Sequence, residues 1–104
     1  MAYKVIWSAD SIKDIEAIAA YIARDSRRYA DVFVRDAIDA GRSLAWFPMR
    51  GRAVPELNDP LLREYILLSY RMIYRFEAQT VRISAVVHGS RDLRSFWTKK
   101  KTKK

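Results

Sequence analysis

The sequence predicts an α+β fold of order β-α-α-β-β-β, a helical hairpin packed on a small, largely antiparallel sheet. Three observations carry this. Apolar residues recur at three- and four-residue spacing through the first half of the chain and alternate with period two through the second. At 104 residues, half of them hydrophobic, the chain has material for one modest core. Residues 1–96 are therefore expected to form a single domain, with 97–104 as a lysine-rich C-terminal tail.

The first strand is expected at YKVIW, residues 3–7, which is short and β-prone. In the next segment Ile12, Ile15, Ile18 with Ala19, and Ile22 mark one face of an amphipathic helix. Ser11 followed by Asp14 fits a capping box, and Ser8 fits the cap if the helix starts earlier. Arg24-Asp25-Ser26 breaks the pattern, and a second helix follows from about Arg27 to Trp46. Its apolar face reads Tyr29, Phe33, Ala37, Ala40 and Leu44, with Val34 and Ile38 widening the stripe. The short joint predicts an αα-hairpin. Gly41, costly inside a helix, is expected where the two helices cross closely.

Phe47-Pro48 ends the second helix, because a residue before proline is pushed out of helical geometry. Residues 49–60 hold the other two prolines and Gly51 and read as an irregular connection carrying Arg50, Arg52, Glu56 and Asp59. Period two begins near Leu62. One strand lies in 63–68. In the next, Tyr70, Met72, Tyr74 and Phe76 face the core while Arg71, Ile73 and Arg75 face away. Glu77-Ala78-Gln79-Thr80 suits a hairpin turn. The last strand then reads Val81, Ile83, Ala85 and Val87 inward, with Arg82, Ser84, Val86 and His88 outward.

Charge narrows the function. Twenty Lys and Arg against twelve Asp and Glu give +8, which favours an acidic or polyanionic partner. Without cysteine there is no disulfide, thiolate nucleophile or thiolate-ligated metal, and one histidine leaves little for a metal site, so no cofactor is expected. No apolar run is long enough to span a membrane, and acidic residues follow Ser8 where a signal peptide needs an apolar core. A cytoplasmic location without membrane association is the expectation. Three scattered glycines make no phosphate loop, and the aromatics are too dispersed for an RNA-stacking sheet. Five lysines among the last six residues repel one another, so the tail is expected to be mobile.

The sheet face away from the helices is expected to be open and to present Arg71, Arg75, Arg82 and His88, with Arg63 or Arg52 approaching. Guanidinium groups on a rigid sheet suit phosphate or carboxylate binding. They equally suit ordinary ion pairs with Glu56, Glu64 or Glu77. Cleavage of RNA would need Glu56 or His88 as base and Arg71 on the phosphate, but no acid follows His88, only Gly89 and Ser90. A structural histidine at a strand end is the other reading.

Five stretches together resemble the RelE/ParE toxin superfamily, in its ParE-like branch. They are residues 3–26, the helix with Tyr29-Ala30 and Phe33, FPMRGRAVPEL (47–57), LREY (62–65) with YRMIY (70–74), and VVHGSRDL (86–93). The resemblance implies a type II toxin that stabilises plasmids, is neutralised by a ParD-like antitoxin in an oligomeric complex, and inhibits DNA gyrase without breaking a bond itself. RelE-like relatives instead cut messenger RNA on the ribosome. A non-toxic interaction protein of the same fold is a third possibility. Arg71 falls at the superfamily's strand arginine and His88 near its acid–base position. No tyrosine follows His88 and the preceding loop lacks paired lysines, which weighs against the ribonuclease. A disordered acidic antitoxin segment would then lie across the arginine face, with Ile73 and Val86 as apolar contacts among Arg71, Arg75 and Arg82.

Overall fold

The computed structural model describes residues 2–94 and 97. Strand β1 (Lys4–Trp7) leads into helix α1 (Ala9–Ala23), helix α2 (Arg27–Leu44), a two-residue strand β2 (Arg52–Ala53), and strands β3 (Leu62–Leu67), β4 (Tyr70–Glu77) and β5 (Thr80–His88). The sheet order is β1-β5-β4-β3-β2, antiparallel except for β1 beside β5. The predicted α+β architecture is present, with β2 as an added edge strand.

Helix α1 is capped by Ser8, whose Oγ accepts the Ser11 N–H at 3.0 Å. Ser8 also ties the helix to β5, because its N–H donates to the Ile83 carbonyl and its hydroxyl to that of Ser84. Helix α2 is capped by Ser26 through the Tyr29 N–H. Its Phe33, Ala37, Ala40 and Leu44 pack with Met72, Tyr74, Val81, Ile83 and Val86 into the main core. Tyr29 points to solvent instead, and Ala30 takes its place on the buried face.

Gly41 does allow a close approach, but its neighbour is β1 and not α1. A Cβ there would run into the Trp7 indole.

The far face of the sheet is not bare. Val54 and Leu62 from the β2–β3 region, Ile73, Ala85, Val87 and the C-terminal Leu93 form a second buried cluster, with Leu57 and Trp97 against it. Trp97 thus packs on the domain. The rest of the expected tail lies outside the described residues.

The alternation predicted for β5 fails at Ser84. Ile73 pairs with Ala85 while Tyr74 pairs with Ile83, so Ser84 is left without a partner on β4 in a β-bulge. One extra residue exchanges the faces of everything that follows. Val86, expected outward, joins the main core, whereas Ala85 and Val87 turn to the second cluster. The freed Val86 N–H is met by Asp14 Oδ2 of α1 at 2.9 Å.

Candidate functional site

The arginine face resolves into a buried ion-pair network. Arg71, its side chain only 5% exposed, donates from Nε to Glu64 Oε1 at 2.6 Å. Its terminal nitrogens grip both oxygens of Glu56 at 2.8 and 2.7 Å, and Nη1 also reaches the Arg91 carbonyl at 2.9 Å. Glu64 is wholly buried, and its second oxygen takes the Arg52 Nε at 2.6 Å. Glu56 further accepts the Leu93 N–H. The Arg71 hydrogen bonds hold the Glu56 carboxyl down at about 2, far below the usual range, against the opposing effect of burial. Arg71 is pushed above its ordinary value, first by Glu56 and then by Glu64.

These contacts occupy the planar fork that a phosphate would need. Ion pairing, the alternative reading of this face, describes Arg71 and Arg75. Arg75 bonds Asp59 at 2.7 Å and Glu77 at 3.0 Å and stays partly exposed. Arg82, directly across the ladder from Arg75, is exposed.

The other expected members of this face lie elsewhere. Ile73 is buried in the second cluster and Val86 in the main core. His88 pairs with Tyr70 across the ladder, on the side opposite Arg71, because the bulge has reversed the phase of β5. Its ring meets Tyr70 edge to face at 5.6 Å, and its Nδ1 accepts the Ser90 N–H. Arg63 pairs with Tyr74 and so also lies on the helix side, where it donates to the Gly51 carbonyl and sits 5.7 Å from the Phe76 ring. Glu56 and Arg71 meet as a salt bridge, and His88 does not join them. Glu56, held ionised and bidentate, is a poor proton acceptor at neutral pH.

Most of the accessible apolar surface lies on the helical side, although Ile66 on the far face and Leu68 at the β3–β4 turn are exposed as well. Trp7, Ile12, Ile15, Glu16, Val34 and Ile38 line a groove of about 260 Å³ between the two helices. No apolar residue of α1 is fully buried, its one buried residue being Ser11. A second exposed apolar group, Trp46, Phe47 and Met49, follows α2. The sequence carried a signal for the groove, since Val34 and Ile38 widen the α2 stripe beyond what one sheet face covers. Among the described residues no cluster of His, Asp and Glu could hold a metal, and no helix is long and apolar enough to cross a membrane.

The family model for the ParE toxin of the type II toxin-antitoxin system parDE matches residues 5–93. The chain belongs to the ParE toxin family. No curated protein matches it significantly in sequence. Its fold is similar to that of a chain in the chromosomal ParDE toxin-antitoxin system from P. aeruginosa, with a TM-score of 0.68 at 18% identity. That match covers 84% of this chain and 96% of the other. It is also similar to a chain of the RelBE2 toxin-antitoxin complex from Mycobacterium tuberculosis, with a TM-score of 0.58 at 18% identity over 85% of this chain and 99% of that one. Family membership accounts for the resemblance of the five sequence stretches, and an antitoxin is the partner it supports.

Proposed function

We propose that this ParE-family toxin inhibits DNA gyrase by binding it, and that a ParD-like antitoxin neutralises it by docking an amphipathic segment in the α1–α2 groove. The observation that carries the first part is the Arg71–Glu56–Glu64 network. The groups a nucleolytic reading needs as clamp and base are spent on one another, whereas large apolar side chains stand exposed. That distribution suits a protein that acts by occupying a surface. A cytoplasmic location follows from the target.

The groove supports the second part. It has the apolar lining that helix-in-groove recognition uses, and a segment that folds on contact would complete the burial of Ile12, Ile15 and Ile38. The toxin–antitoxin assembly would be oligomeric and serve plasmid stabilisation. Purified chain added to gyrase and relaxed plasmid should block supercoiling and raise the yield of cleaved DNA. Folded protein with no effect at large molar excess would remove the gyrase assignment.

A further inference from the structure

Helix α2 carries Arg27, Asp31, Arg35, Asp39 and Arg42 three or four residues apart, so the sign of charge alternates turn by turn along the helix. All five are exposed. Such a row usually ties itself together with ion pairs along the helix. Here none of the five is ion-paired with another described residue, the salt bridges being those of Arg52, Arg71, Arg75 and Arg94. Asp31, Arg35, Asp39 and Arg42 border a shallow hollow of about 410 Å³ together with Val34 and Ile38. The same Val34 and Ile38 line the α1–α2 groove, to which α1 contributes Glu16. Two apolar side chains thus make a ridge, with the apolar groove on one side and the charge row on the other. Asp39 also borders a concavity with Asp36 and Arg50, but Arg50 lies over the Tyr65 ring at 5.0 Å and pairs with neither carboxylate. Glu16 is exposed and, with Lys13 one turn before it on α1, has no ion pair among the described residues either.

We propose that the α2 charge row sets the register of the antitoxin segment in the groove: the segment is a helix with charges of the opposite order along one flank and a basic residue for Glu16 on the other. This rests on the groove reading of the antitoxin site and specifies its occupant. The helical form follows from the repeat. From Asp31 to Arg42 the row extends roughly 17 Å at 1.5 Å per residue, and a helix lying alongside meets it turn for turn. A slip of one turn sets like charges against each other at every position. A slip of two turns restores the signs but leaves charges at the end without partners. The row therefore excludes wrong registers as well as rewarding the right one. A uniformly acidic segment fits less well, because Asp31 and Asp39 repel it. A second copy of the chain has the wrong shape, since its Val34–Ile38 ridge would meet this ridge and leave both grooves empty.

The test uses the full chain and a ParD-like antitoxin that co-purifies with it. Asp31→Arg together with Arg35→Asp exchanges two neighbours of the row at constant net charge, and Glu16→Lys reverses the other wall. All three positions are in water, so thermal midpoints should be unchanged. Antitoxin affinity should fall about tenfold in the exchange variant and about threefold in Glu16→Lys, as attractive pairs become repulsive ones. Antitoxin helices carrying Lys or Glu at each position flanking the apolar face are then displayed and selected for binding. The parent chain should select one order of charge and the exchange variant the exchanged order, a switch that a loss of stability does not produce. An exchange variant bound as tightly as the parent, where Ile38→Glu weakens binding, overturns the register and leaves the groove reading. Binding indifferent to Ile38→Glu as well overturns both. The same charge order selected by both chains overturns the register, as does self-association of the chain alone, seen in sedimentation, that the exchange abolishes.

Discussion

The guanidinium of Arg71 closes on both oxygens of Glu56, at 2.8 and 2.7 Å, and so fastens the connection between β2 and β3 to the middle of the sheet. With Glu64 on its other side and the Arg91 carbonyl above, Arg71 joins four separate segments of chain. It is the strut of the far face.

Removing that strut leaves a buried carboxylate. Arg71→Ala should cost about 3–5 kcal/mol, because Glu64 would stay buried with one partner fewer. The triple change Arg71→Met, Glu56→Leu and Glu64→Met should recover most of the loss, since a buried ion network often only breaks even against apolar packing. Thermal or denaturant unfolding of the two variants measures the difference. Equal destabilisation of both would show that the network adds stability beyond its own desolvation.

The network also sets an acid response. Glu56 titrates near 2 in the folded chain against 4.5 in its ordinary state. A depressed carboxylate stabilises the fold fully above its unfolded value and loses that contribution as pH falls through the folded one. Stability should therefore drop between about pH 5 and pH 2, by on the order of 3 kcal/mol from this group. Glu56→Gln should be less stable at pH 7 and show a flatter acid limb in denaturant melts.

Gly41→Ala tests whether helix propensity or packing rules at that position. Propensity alone would favour alanine by about 1 kcal/mol. The Trp7 indole fills the space a methyl would take, so the substitution should instead destabilise by about 1–3 kcal/mol. A raised thermal midpoint would mean that the indole can swing aside.

The β4–β5 turn offers a stabilising change. Ala78 and Gln79 both have positive φ, 52° and 63°, the pattern of a type I′ hairpin turn built from residues that disfavour it. Ala78→Asn with Gln79→Gly should add about 1 kcal/mol, or about 4–8 °C in thermal midpoint.

The α1–α2 groove yields a binding prediction. Ile38 lines it while remaining partly in water. Ile38→Glu should leave the fold nearly as stable and weaken antitoxin binding at least tenfold, measured by titration calorimetry. Arg71→Lys, buried on the other side of the sheet, should not alter that affinity in chain that remains folded.

Local periodicity determined the element order, because side-chain direction repeats every 3.6 residues in a helix and every two in a strand. The cap at Ser8, as one of two choices, was equally legible, since a serine before an apolar run can satisfy an orphan N–H. So were the Glu77–Thr80 turn and the basic, cysteine-free character of the chain. What sequence could not reveal depends on one residue. Nothing in ISAVV announces that Ser84 is extra. Ser8 at the start of α1 and Asp14 within it bond the Ser84 carbonyl and the Val86 N–H beside the bulge, contacts distant in the chain, and the bulge turns Val86 and His88 away from Arg71. The far face is covered for a similarly long-range reason. Whether Arg71 meets a phosphate or a carboxylate depends on where residues 54–57 and 91–93 settle, and their path is set by apolar contacts of Val54 and Leu93 distant in the chain. Burial then gave the fork to Glu56 and Glu64, and left exposed apolar residues of the helices, of the stretch after α2, and at Ile66 and Leu68 as surface that a partner can reach.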